Sequence, residues 1–276
     1  GIPVSSPVGA ITGGSAAANQ TSISQTLTNT TGEPATLTYT VTPDANGCNG
    51  DGFDIVVTVN PNGQVNAVAD QTLCNGDSTL AITFVTTNTG SGTTTYNWVN
   101  DNTAIGLAAN GTGDISSFTA TSSAVAPIVG NITVTPVYEN NGVSCTGTAE
   151  TFSITVNPSP LVNFSGADQV IVTGETTTAV NLASPTTDVV FAWTVSVPTG
   201  ISGVTTLTGT DNIPAETLIN STTQPLDVVY TAIATGDVGF DCEGLPTDYT
   251  VTVNPEAQVN PVDDQVVCND ENLTIE

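Results

Sequence analysis

The sequence predicts an all-β protein built of tandem β-sandwich repeats. Two observations predict it: short strand-like runs between turn clusters and a 97-residue internal period. The runs are rich in Val, Ile, Thr, Tyr and Phe. They include Leu80 to Val85, Thr94 to Val99, Asn131 to Val137 and Thr151 to Val156. Between them stand Gly, Asn, Asp and Pro clusters, which punctuate β structure, and no segment carries an extended helical period.

The period is read from two sets of residues. Val57-Thr58-Val59-Asn60-Pro61 returns as Ile154-Thr155-Val156-Asn157-Pro158 and as Val251-Thr252-Val253-Asn254-Pro255, so the three prolines stand 97 residues apart. Cys48, Cys145 and Cys242 keep the same 97-residue spacing, and Cys74 and Cys268 are two periods apart. Each repeat opens on an Asp-Gln pair, at Asp70-Gln71, Asp168-Gln169 and Asp264-Gln265. Four segments follow: 1–61 as the closing part of a repeat, 62–158 and 159–255 as complete repeats, and 256–276 as the start of another. A unit of this length suits one immunoglobulin-like sandwich. The end segments alone would leave apolar faces and strand edges uncovered, so the chain is expected to continue on both sides. Only the Asn-Pro step and a residue or two separate repeats, which predicts stiff stacking into an elongated rod.

Tyr96-x-Trp98 and Phe191-x-Trp193 each place two aromatics on one face of a strand, because strand side chains alternate. Trp98 and Trp193 are expected to fill the two sandwich cores, with Tyr96 and Phe191 beside them, rather than to stack on sugar rings. A carbohydrate-binding sandwich module is the alternative function, and it would need such aromatics exposed on one face.

The chain has 26 acidic side chains and no Lys, Arg or His, for a net charge of -26, where average composition would supply about 30 basic residues. Binding to DNA, RNA or an anionic membrane needs Lys or Arg to neutralise phosphate, so nucleic acid is excluded as a partner. No apolar run approaches the length of a membrane span, which excludes direct insertion as a helix. Without His, Lys or Arg there is no Ser-His-Asp site, no Schiff base and no guanidinium clamp. Carboxylate-only glycosidase chemistry survives in principle, but no paired acids are signalled. The chain reads as a non-enzyme with no cofactor. Oxygen-ligand ions such as calcium remain possible, and Asp44, Asn46, Asp51 and Asp54 crowd a loop with a faint calcium-site spacing. A solvated hairpin tip accounts for the same residues.

These motifs resemble a known family. The Asp70-Gln71-Thr72-Leu73-Cys74-Asn75-Gly76 segment, the Tyr-x-Trp strand, Ile105-Gly106-Leu107, Gly111-Thr112-Gly113-Asp114-Ile115 and the closing Cys-to-Val-Asn-Pro stretch look like the PKD-like repeats of giant Bacteroidota surface adhesins. The resemblance covers 62–158 best and 159–255 more loosely. It implies immunoglobulin-like domains exported by type IX secretion to the extracellular cell surface, serving adhesion or gliding motility. Their partners would be neighbouring repeats of the same chain, or further copies in a filament. Separately, Asp77-Ser78-Thr79 resembles the short Asp-Ser/Thr-apolar acceptor used for O-glycosylation in Bacteroidota, which would place a glycan on Ser78. The chain departs from the pattern at Val172, where the cysteine after Asp-Gln is missing, and at Glu150, where relatives often carry Lys.

Five cysteines fit an oxidising compartment. Val172 discriminates among pairings. A bridge within each repeat, Cys74 with Cys145, would leave Cys242 unpaired. Bridges across the short link, Cys48 with Cys74 and Cys242 with Cys268, would leave Cys145 unpaired. A bridge from Cys74 to Cys242, in the next repeat, leaves Cys48 and Cys268 to partners outside the sequence. Strand direction favours this last scheme, because the early cysteine belongs at the C-terminal pole of its sandwich and the late one at the N-terminal pole. The intradomain pairing stays open beside it.

Overall fold

A computed structural model describes residues 1–236, 241–258, 264, 266, 268 and 269. The expected start of a further repeat, 256–276, including Gln265, falls largely outside the described residues. The chain falls into two compact units, Gly1–Pro158 and Ser159–Glu276. Apart from one 3-10 turn at Thr103–Ile105, the described elements are β strands.

In residues 1–61, β1 (Val4–Ser6), β2 (Ala35–Val41) and β3 (Phe53–Val59) form an antiparallel three-stranded sheet in that order. Its small core is Ala10, Ile11, Ala35, Leu37 and Tyr39. The alternation Ala35, Leu37, Tyr39 points one face inward while the Thr residues between them lie outward, the period-2 pattern of a half-buried strand.

Residues 62–158 add β4 (Gln71–Cys74), β5 (Thr93–Asn100), β6 (Asn110–Thr112), β7 (Ile128–Asn140), β8 (Val143–Thr146) and β9 (Glu150–Asn157). They form one sheet in the order β4-β9-β7-β5-β6, with β8 paired to the far end of β7. The first strand, β4, runs parallel to the last, β9, with Gln71 opposite Ile154 and Cys74 opposite Asn157. The second unit repeats this plan with β10 (Gln169–Val172), β11 (Val189–Ser196), β12 (Thr208–Gly209), β13 (Leu226–Gly236) and β14 (Thr247–Asn254). Its order is β10-β14-β13-β11-β12, and β10 again lies parallel to β14.

The opposing layer of each sandwich is extended chain with few ladder bonds. Leu80 to Val85, expected as a strand, makes only an isolated bridge from Ile82 to Ile115. The physical reason is that side chains take its backbone groups. Leu80 N donates to Gln71 Oε1 at 2.9 Å and Phe84 N donates to Asp114 Oδ1 at 2.9 Å. The side chains still alternate, with Ile82 and Phe84 buried and Leu80, Ala81, Thr83 and Val85 exposed.

Between the layers of 62–158 lie Ile82, Phe84, Tyr96, Trp98, Ile105, Ile132, Val134, Phe152, Ile154 and Val156. In the second unit Trp193, Tyr230, Val228, Tyr249, Val251 and Val253 are buried, and Phe191 is partly buried against them. Trp98 and Trp193 are 7% and 3% exposed, so neither ring offers a sugar-stacking platform. Each Trp faces a glycine across the neighbouring strand, Gly111 and Gly209. A Cβ at Gly111 would sit 2.2 Å from Trp98 Cζ2.

Candidate functional site: the poles of the repeats and their cysteines

The Asp-Gln pair that marks each repeat is a stitch between its layers. Asp70 Oδ1 accepts from Ser153 N at 2.6 Å, which ties the opening segment to β9. Gln71 takes both backbone groups of Leu80, accepting from its N at 2.9 Å and donating to its O at 3.2 Å. Asp168 and Gln169 repeat the arrangement on Thr250 N and on both backbone groups of Thr178. The two side chains thus bind the closing strand and the facing layer at once.

The joint between residues 1–61 and 62–158 is closed over Pro61, whose side chain is fully buried. Asn60 and Asn140 form a reciprocal pair: Asn140 Nδ2 donates to Asn60 Oδ1 at 2.9 Å, and Asn60 Nδ2 donates to Asn140 O at 3.2 Å. Thr89 N donates to Gly32 O at 2.8 Å, and Asn88 Nδ2 donates to Asn62 O at 3.0 Å. Beyond Pro61, Gly63 N donates to Cys145 O at 3.1 Å. A Cβ on Gly147 would lie 1.7 Å from Gly63 O, so only glycine permits this approach.

These contacts place Cys145 at the N-terminal pole of its repeat, opposite Tyr138 on β7. Cys74 lies at the other pole, opposite Asn157. The eight residues of β9 span the interval, roughly 25 Å at strand rise, against the ~7 Å Cα separation that a disulfide allows. The intradomain pairing of Cys74 with Cys145 is therefore corrected: Cys145 is a free thiol, whereas Cys74 is disulfide-bonded. Cys242 is also disulfide-bonded, and it is 1% exposed. It occupies the N-terminal pole of the second unit, where its O accepts from Gly236 N at 2.9 Å. A Cβ on Gly244 would lie 1.9 Å from Pro160 O, as at the first such pole. Cys48 is a free, exposed thiol on the tip formed by Asp44–Ala45 and Cys48–Asn49, and Cys268 is exposed.

The calcium loop expected at Asp44, Asn46, Asp51 and Asp54 is not assembled. Asn46 and Gly47 form a tight hairpin turn with φ of 56 and 84, and Asp44 Oδ1 accepts from Gly47 N at 3.1 Å within it. Asp54 points instead along β3 and accepts from Thr40 Oγ1 at 2.7 Å. Among the described residues no group of three or more His, Cys, Asp or Glu is placed to hold a metal ion. Ser78 is exposed in the turn after β4, where Asp77 Oδ2 accepts from Cys74 N at 3.1 Å.

Two features escaped sequence reasoning. Glu216 is a buried carboxylate, 3% exposed, that accepts from Thr205 N, Thr205 Oγ1 and Thr206 N and so fastens an irregular segment. Nothing at the same place in 62–158 would have drawn attention to it. Burial pushes the Tyr230 hydroxyl up to about 12, and the charge of Glu216 pushes the same way. Burial likewise raises Tyr96, the Asp114 carboxylate adding to it and a hydrogen bond with Thr86 opposing it.

Together the parallel first and last strands, the layered core and the repeated poles define tandem immunoglobulin-like β-sandwiches. The model of the PKD-like domain matches residues 5–63 and 172–257, just over half of the chain, and the chain belongs to that family. No curated protein matches the sequence. Among solved structures, mouse cadherin-23 EC22-24 is similar at 13% identity and a TM-score of 0.35, over 92% of this chain and 86% of that one. The insect immune protein hemolin is similar at 15% identity and a TM-score of 0.29, over 80% of this chain and 56% of that one. Human mucin-like protocadherin EC1-2 is similar at 11% identity and a TM-score of 0.31, over 70% of this chain and 97% of that one. The family assignment rests on the domain match and the observed sheets alone.

Proposed function

We propose that this chain is a structural segment of a long extracellular stalk, with boundaries near residues 61, 158 and 255, that holds an adhesive region away from a cell surface. The observation that carries the reading is the joint at Pro61. Pro61 is buried, Val59 O accepts from Asn29 Nδ2 at 2.7 Å on one side of it and Gly63 N donates to Cys145 O at 3.1 Å on the other, so one repeat sets the direction of the next. A binding module would instead present its aromatics, and both Trp side chains here are interior. Adhesion or gliding motility, export by type IX secretion, and association of copies into filaments belong to the same proposal through the resemblance to surface adhesins.

The proposal includes a covalent link between successive repeats, from Cys74 to Cys242. Its support is that these two cysteines are the ones in disulfide linkage and that each stands at the pole its strand direction assigns. Peptide mapping of the unreduced chain, cleaved at acidic residues because tryptic sites are absent, tests it. A linked peptide holding Cys74 and Cys242 is the expected product. Linkage of either one to Cys48 or Cys145 would refute the scheme.

A further inference from the structure

A chain without Lys cannot form the amide crosslinks that join Lys to Asn or Asp side chains. A hydroxyl and a carboxamide are one condensing pair left to it, and such a pair is in contact at the N-terminal pole of repeat 62–158. Here two extended segments run side by side. Asn66 N donates to Val85 O at 2.8 Å. Gln64 N donates at 2.7 Å to Oδ1 of Asn88, the residue next to Thr87. Gln64 and Thr87 are thereby cross-strand neighbours, and Thr87 Oγ1 donates to Gln64 Oε1. The carbonyl carbon of the carboxamide is one bond beyond that oxygen. Asn88 is itself fixed, since its Nδ2 donates to Asn62 O at 3.0 Å and its Oδ1 also accepts from Thr86 Oγ1 at 3.0 Å.

Gln64 and Thr87 line a polar cleft of about 420 Å³ together with Asn29, Asn62, Thr148 and Glu150, and Glu150 is the carboxylate among its lining residues. A threonine hydroxyl is a weak nucleophile that needs a base and a fixed geometry; Gln64 and Thr87 are exposed, and Glu150 is the carboxylate that lines the cleft with them.

We propose that Gln64 and Thr87 are joined by an intramolecular ester, a covalent staple beside the joint. Thr87 Oγ1 bonds to Gln64 Cδ, the Cδ–Nε2 bond breaks, and ammonia leaves. The hydroxyl proton passes through the Glu150 carboxylate to the departing nitrogen, so the carboxylate is regenerated and no oxidant or reductant is consumed. At the equivalent places in 159–255 stand Leu161 and, past the one-residue insertion before Asp168-Gln169, Pro185. With no carboxamide at Leu161, repeat 159–255 cannot make the bond and serves as an internal control.

Intact mass of the fully reduced chain reads the outcome directly. The expected mass is below that of the sequence by one ammonia, with the deficit mapping to a peptide pair that links residue 64 to residue 87. Thr87→Val and Gln64→Leu should each show the full mass of their own sequences. A wild-type chain at full sequence mass overturns the proposal. So does an ammonia deficit that persists in either variant, or one that maps to a succinimide at an Asn-Gly step, Asn62-Gly63 beside Gln64 included. Because mass does not depend on the fold, a poorly folding variant leaves the wild-type result decisive.

Discussion

Trp98 and Trp193 occupy equivalent places and differ in one bond. Trp193 Nε1 donates to Asp211 O at 2.7 Å, whereas Trp98 Nε1 has no acceptor among the described residues. Replacing Trp193 with Phe leaves a carbonyl unpaired, while the same change at Trp98 removes a donor that was already orphaned. Trp193→Phe is therefore expected to cost its repeat about 1–2 kcal/mol more than Trp98→Phe costs the other. Hydrogen exchange of β14 and β9 in the two variants reads the difference, and equal losses would contradict it. Tyr230 gives a pH test at the same scale. Its hydroxyl is pushed up to about 12 in the fold, above its ordinary value of 10.0. The unfolded chain releases this proton first, so the contribution is intact below pH ~10 and is lost as pH rises toward ~12. Alkaline melts should show repeat 159–255 losing stability through that window, with Tyr230→Phe flattening the loss.

The strands of residues 62–158 were legible because they obey simple periods. Thr94 to Val99, Asn131 to Val137 and Thr151 to Val156 alternate apolar and polar residues, and each lies inside an observed strand. Leu80 to Val85 alternates equally well yet forms no ladder. The pattern reports which side chains face the core, whereas pairing depends on which donors and acceptors lie alongside, here the side chains of Gln71 and Asp114. Asp-Gln was visible as a repeat marker, but its role required seeing two distant backbone segments converge on it. The calcium reading of Asp44, Asn46, Asp51 and Asp54 failed for a related reason: residues close in sequence were separated by a two-residue turn and by opposite strands. At the joint, Asn60 and Asn140 are 80 residues apart, and their reciprocal pair is beyond any local pattern. Asn140→Ala removes the donor to Asn60 Oδ1 and spares the bond from Asn60 Nδ2 to the backbone O of residue 140, an expected loss of about 1 kcal/mol in the docking of 1–61 onto 62–158. Faster hydrogen exchange at Asn60 to Gln64, without change in β5 and β7, would register it. Unchanged exchange would mean that Pro61 burial alone holds the joint.

Over the whole molecule, 26 acids act without a single basic side chain. Individual carboxylates are held by neutral donors, as Asp101 is by Asn131, whose side-chain and backbone N–H groups keep it below its ordinary range. Long-range repulsion has no such local remedy and is screened only by salt. Melting temperature is expected to climb as sodium chloride is raised from about 10 mM to about 0.5 M, where the Debye length shortens from ~30 Å to a few ångströms. A flat response would show that the charges are already too far apart to matter.

A stalk is a device for transmitting force, and the proposed Cys74–Cys242 link decides what the chain can do under load. It encloses roughly 170 residues, most of the chain between 62 and 255, which as extended chain would span on the order of 550–600 Å. Pulling single molecules from their two termini, first without and then with a thiol reductant, tests this directly. The account predicts that the oxidised chain never releases that length, and that reduction adds it in full. Release of the whole contour length from the unreduced chain would contradict the covalent joint and leave a string of independently extensible domains.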